Sequence, residues 1–161
     1  LIGDGGSWDI NTSTLPGDQA ALNTGQWYHI ALVKSGTTWN LYIDGVLYDG
    51  PYTGNVADQD DVALWIGNAE LWDTRFFNGY MTQAGIYKKA LSTSEITAQY
   101  NLGIDGDWSS DSNLVAFWKM DSASSISDSS SNSHTPTIEG NPTLGDGVSD
   151  KTSSNNHGTL V

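Results

Sequence analysis

Catalysis by paired carboxylates needs two acids brought within a few ångströms of one another, and this chain offers few candidates. Its three glutamates, Glu70, Glu95 and Glu139, are widely separated. Glu95 is accounted for by Ser92-Thr93-Ser94-Glu95, whose spacing is that of a helix capping box. Glu139 falls in a serine-rich tail. The histidines His29, His134 and His157 are scattered, and a zinc site built on them lacks supporting ligands. No G-x-S-x-G motif and no phosphate-binding loop occurs. Hard cations need six to eight oxygens, which loops rich in Asp and Asn supply. Calcium is therefore a possible cofactor at Asp58, Asp60 and Asp61, or at Asp121, Asp128 and Asn132, although an ordinary acidic surface explains both groups. Sugars bind by stacking their CH faces on aromatic rings while polar groups take the hydroxyls. The stretch containing Asn68, Glu70, Trp72, Asp73 and Arg75, the only arginine, supplies that mixture, and Tyr52 is a second aromatic candidate. The competing reading packs Trp72 on the rim of the fold and pairs Arg75 with Asp73.

The elements that must position these residues are mostly strands. Trp27 to Lys34 alternates Tyr28, Ile30 and Leu32 on one face with His29, Ala31 and Val33 on the other. Ser35-Gly36-Thr37 turns the chain into Trp39–Asp44, and Asp44-Gly45 is a two-residue hairpin turn returning through Val46-Leu47-Tyr48. Val62–Gly67, Gly79–Tyr87 and Leu114–Met120 give further strands, in which Trp27, Trp39, Trp65 and Trp118 are core candidates. Ile96 and Tyr100 share a face of one short helix over residues 92–101. This order predicts an all-β, antiparallel β-sandwich of jelly-roll type with one short helix.

Composition agrees. Among 161 residues there are 18 glycines and only three glutamates, with seven Trp and seven Tyr to build a core. A formal net charge of −13 argues against nucleic acid and anionic membrane surfaces as partners. No apolar run approaches the ~20 residues that cross a bilayer. The absence of cysteine removes disulfides and thiolate chemistry. The chain opens on Leu1-Ile2-Gly3-Asp4, without a signal-peptide pattern, and reads as cut from a longer polypeptide. Beyond Trp108 the character changes: residues 109–161 hold fourteen serines, which reads as partial disorder, and residues 103–113 read as a linker. Within that tail, residues 126–138 are faintly echoed by 148–160.

Three blocks in order carry a family resemblance. Trp27-Tyr28-His29-Ile30-Ala31-Leu32-Val33, then Leu41-Tyr42-Ile43-Asp44-Gly45, then Phe77-Asn78-Gly79 through Ile86-Tyr87-Lys88-Lys89-Ala90-Leu91-Ser92 and Glu95-Ile96, resemble the laminin G-like jelly roll. That group lies within the concanavalin A-like lectin and glucanase superfamily. The resemblance covers residues 7–101 and implies that 1–102 are the later part of one module. Leu114–Asp121 with Asp128–His134 is similar to the way such modules begin. Residues 114–161 are then either the opening strands of a second module or a strand completing the first. The family's glucanases carry two or three acids at alternating positions on one strand, a pattern missing here, so no enzyme is expected. The family also places an acidic pair after the Phe-Asn-Gly block, whereas this chain has Thr82 and Gln83 there, so calcium is not carried over. The resemblance implies a carbohydrate-binding or adhesion module of a larger extracellular or surface protein, with a glycan or other protein subunits as partners. The alternative is a structural assembly module of a viral tail fibre, capsid or surface-layer protein.

Overall fold

The computed structural model describes residues 2–3, 8–10, 22–54, 64–67, 77, 79–120 and 126–138. Among these residues, seven strands and one helix follow in the order β1 (Ile2–Gly3), β2 (Trp8–Ile10), β3 (Ile30–Ser35), β4 (Thr38–Ile43), β5 (Val46–Thr53), β6 (Ala84–Tyr87), α1 (Thr93–Leu102) and β7 (Leu114–Trp118). All pairing is antiparallel, in ladders β1-β2, β3-β4-β5 and β6-β7. The fold class is thus the antiparallel jelly-roll type with one short helix that the residue pattern indicates.

The three-stranded sheet forms because two tight turns set its register. Ser35 pairs with Thr38 across Gly36-Thr37, and Ile43 pairs with Val46 across Asp44-Gly45. Asp44 and Gly45 both take positive φ, 52° and 77°, which is the type I′ geometry that suits the twist of a hairpin. The Asp44 carboxylate also accepts from the His29 backbone N–H at 2.9 Å, closing the open end of β3. One face of this sheet presents Val33 and Tyr42 to Ile96 of α1, and this trio is the core of the unit. The helix is seated on the turn itself. Thr97 Oγ1 donates to the Gly45 carbonyl at 2.9 Å, and a Cβ at position 45 would press on Thr97 and Tyr100 at 3.2–3.3 Å. The opposite face carries Ile30, Leu32 and Val46, which are 55%, 43% and 67% exposed.

The second unit is smaller and more deeply buried. In β7, Leu114, Ala116, Phe117 and Trp118 are all 9% exposed or less. Full burial of a side chain such as that of Phe117 is worth ~1.5–3 kcal/mol. β7 pairs with β6 of the same chain, Ala84 opposite Trp118 and Tyr87 opposite Leu114. Trp108 joins the two units: its indole stacks on Phe117 with ring centroids 4.9 Å apart and meets the His29 ring edge-on at 6.3 Å. Gly85 admits that indole, because a Cβ there would stand 3.2 Å from Trp108 Cζ3.

Four expectations are corrected. Residues 64–67, read as a strand, are not one; Gly67 takes φ +84° and its carbonyl accepts from Phe77, while residues 62–63 lie outside the described set. The strand expected from Gly79 begins at Ala84, since Gln83 at φ +53° cannot continue a ladder. Trp27 and Trp65 are half-buried and stand outside strands, whereas Trp39 and Trp118 are core. The segment 126–138 of the serine-rich tail is ordered, for reasons given below.

Candidate functional site

Glu95, Ala98, Gln99 and Leu102 recur at i, i+3, i+4 and i+7, which places them on one face of α1, and Leu91 stands just before its Ser92 N-cap. Ile96 lies off that face, buried against the sheet, so the helix divides its surface between core and cleft. Tyr87 from the end of β6 and Trp108, Ser110 and Asp111 from the loop before β7 complete an open cleft of about 370 Å³. That volume lies within the range of small-molecule sites, ~300–1,000 Å³. The helix begins where the capping box places it. The Ser92 hydroxyl accepts from the Glu95 backbone N–H, and the Glu95 carboxylate accepts from the Ser92 N–H at 2.8 Å.

The polar groups of the cleft have defined states. Burial, with the Asp111 and Glu95 carboxylates nearby, pushes the Tyr87 hydroxyl up to about 12, so it keeps its proton. That hydroxyl accepts from Gln99 Nε2 at 2.7 Å, which leaves its own hydrogen to be donated and the Gln99 carbonyl oxygen to accept. Lys89 bonds Glu95 and, with the Ser92 backbone and hydroxyl donors, holds its carboxyl down at about 2. The Asn113 backbone N–H, donating at 2.9 Å to Asp111 Oδ1, lowers the Asp111 carboxyl as well. The cleft is thus an apolar floor, two aromatic rings and a rim made mainly of acceptors.

Asn68, Glu70, Trp72, Asp73 and Arg75 lie outside the described residues, as do Asp58, Asp60, Asp61 and Asp121. Tyr52 sits on β5 opposite Trp39 and does not line the cleft. Its hydroxyl is covered without a hydrogen-bond partner, and burial with the neighbouring Asp49 carboxylate pushes it up to about 12.

Asp128 and Asn132, the other oxygen-rich candidates for calcium, are occupied by the protein itself. Asp128 Oδ1 accepts from the N–H groups of Phe117 and Ser130, and Oδ2 from His134 N–H and Ser130 Oγ, all at 2.8–2.9 Å. Burial pushes this carboxyl up, but the four donors outweigh it and hold it at about 2. Asn132 Nδ2 donates to the carbonyls of Leu114 and Val115. These side chains cap the edge of β7 away from β6, where Ser129 N–H also donates to the Phe117 carbonyl. Thr82 and Gln83 also bond the protein, donating from side chains to the carbonyls of Lys119 and Gly106 at 2.7 Å each. Among the described residues, no group of three or more His, Asp or Glu converges as a metal site would require.

Sequence reasoning missed the cleft. Two signals were available: the 95/98/99/102 spacing, and an isolated Trp108 in a Gly/Asp-rich loop, where an aromatic side chain needs a partner.

Comparison with known proteins adds three findings. No curated protein matches the chain. Among solved structures, an S-layer domain-containing protein from Clostridium thermocellum ATCC 27405 is similar, with 26% identity and a TM-score of 0.46. The match covers 51% of this chain and 42% of that one, so this chain spans less than half of the solved relative. The laminin G family model described as the concanavalin A-like lectin/glucanases superfamily matches residues 2–97, which takes in the β3–β6 strands and the first half of α1. With more than half of its length inside that model and its strands arranged accordingly, the chain belongs to the concanavalin A-like lectin/glucanases superfamily.

Proposed function

We propose that this chain is a non-catalytic carbohydrate-binding or adhesion module of a larger extracellular or surface protein. The observation that carries the reading is the cleft between α1, Tyr87 and the 108–111 loop, where an aromatic wall faces an acceptor-rich rim over an apolar floor. Sugar rings present apolar CH faces and many hydroxyl donors, which that surface matches. The protonation states support binding over hydrolysis. Cleaving a glycosidic bond needs one carboxyl kept protonated as the acid, with a raised pKa. Both acids of the cleft, Glu95 and Asp111, are instead held below their usual range.

Titration of neutral oligosaccharides by calorimetry tests this. Gln99→Ala removes a rim acceptor and the Tyr87 partner without touching the core, and should weaken binding about tenfold, the equivalent of ~1.4 kcal/mol. Trp72→Ala separates the cleft from the 68–76 loop: loss of binding there, with Gln99→Ala silent, would move the site to the loop.

A second reading, an assembly module contacting other protein subunits, draws on one observation. Ile30, Leu32 and Val46 form an exposed apolar row across β3 and β5. Concentration-dependent association abolished by Leu32→Ser, with no sugar bound, would favour it.

A further inference from the structure

The electrostatics of the cleft discriminate among sugars, an inference that rests on the carbohydrate reading above. α1 ends at Leu102, and the C-terminal end of a helix carries roughly half a negative charge on its unpaired carbonyls. A lysine or arginine in the last turn would offset this, and α1 has none. Gln99 and Leu102, which line the cleft, belong to that turn, so its negative end borders the bound space. Across from it stands Asp111. Both bonds from Asn113 land on one carboxylate oxygen, Oδ1, and no described residue donates to Oδ2. Among the described residues no lysine lines the cleft. Lys89 pairs with Glu95 and its charge also reaches Asp111, so one cation is shared between two carboxylates, while Lys119 pairs with Asp107. The chain as a whole carries a formal net charge of −13. Tyr87 and Ser110 can each donate a hydroxyl hydrogen, while the Asp111 carboxylate and the Gln99 carbonyl oxygen only accept, and none of these groups is cationic, so the lining favours ligands that bring hydrogens over ligands that bring anions. Trp108, Ser110 and Asp111 lie beyond the residues matched by the family model.

We propose that the cleft between α1 and the 108–111 loop takes uncharged or ammonium-bearing sugars and rejects acidic ones, with Asp111 and the C-terminal end of α1 as the discriminating groups. A uronic acid or sulfated ring would set its own anion against Asp111 well inside the ~8–10 Å over which salt screens charges, so the repulsion is only partly screened. Hydroxyl and ammonium groups meet acceptors instead.

The test compares three trimers on the whole chain by calorimetry: an uncharged glucose trimer, a glucosamine trimer and a galacturonic acid trimer. The acidic trimer should bind at least tenfold more weakly than the uncharged one, and the glucosamine trimer at least as tightly. Asp111→Asn, whose amide oxygen can still accept from Asn113, should shrink the acid-to-neutral ratio to threefold or less. Leu102→Lys, at a position 56% exposed, supplies the missing cation of the last turn and should shrink it independently. Equal binding of acidic and neutral trimers by the unmodified chain overturns the proposal while leaving the carbohydrate reading intact. So does a ratio that neither variant changes. Failure of all three trimers to bind, or loss of binding through Trp72→Ala alone, overturns the carbohydrate reading at this cleft and the proposal with it.

Discussion

The β3-β4-β5 sheet and the β6-β7 pair solve the same problem in opposite ways. The larger sheet satisfies its backbone through two ladders set by tight turns, yet buries only Val33 and Tyr42 on one face and Trp39 on the other, and leaves Ile30, Leu32 and Val46 of that second face exposed. The smaller pair has a single ladder, but β7 is buried at four of its five positions. Its second edge is satisfied mainly by side chains: Asp128 accepts from Phe117, while Ser130 and Asn132 donate to Val115, and Asn132 also to Leu114, beside one backbone bond from Ser129 N–H to the Phe117 carbonyl. Strand count therefore does not measure burial. A two-stranded ribbon is marginal in water on its own, and this one is held by the Trp108–Phe117 stack and a polar cap.

The sharpest way to break this contrast is to end the chain at residue 111. That removes β7 and strips β6 of its partner, and stability should fall by several kcal/mol, given ~3–5 kcal/mol for truncating one large buried aromatic. An unchanged melting temperature in the shortened chain would show that β7 contributes nothing to the larger unit. Asp128→Ala should have an intermediate effect, about 1–3 kcal/mol, toward the lower figure because water can reach the half-buried cap. Acid titration sharpens the point. With its folded pKa near 2 against ~3.9 when unfolded, Asp128 contributes stability that is complete above pH ~4 and lost as pH falls toward 2. The Asp128→Ala chain should show a shallower loss of stability across that window, and an identical acid profile would refute the cap. The smallest effect belongs to the exposed face. Leu32→Thr keeps a good strand former at a position 43% exposed and should change stability by no more than ~0.5 kcal/mol in chemical denaturation. A larger loss would mean that this face is covered.

Features whose causes are local were legible in the residues. Asp44-Gly45 specifies its turn through backbone conformations few other pairs adopt, and Ser92 with Glu95 specifies the helix start through bonds made within four residues. What escaped was non-local. Ser130 and Asn132 sit in a run whose composition suggests disorder, and they become ordered because β7 offers carbonyls to them from fifteen or more residues away. Trp108 looked like part of a linker, since nothing in its neighbourhood announces that Gly85 and Phe117 will make a slot for it. The cleft inherits that difficulty, being assembled from a strand end, a helix face and that same loop. The strands misplaced at 64–67 and 79–83 show a related limit. A run of apolar residues does not reveal a positive φ at Gly67 or Gln83.

The seat of α1 on the Asp44-Gly45 turn bears on the order in which the chain assembles. Strands β3, β4 and β5 meet neighbours only a few residues away, whereas β6 must wait for β7 across residues 88–113. Closing a longer loop costs more entropy before any contact repays it, and contacts between distant residues slow folding. A helix docked through Thr97 on Gly45 shortens the effective path, because it pins the middle of that loop to the β4-β5 hairpin, whose contacts are local. Loosening this seat should therefore delay the closure of β7 onto β6 more than it weakens the finished structure.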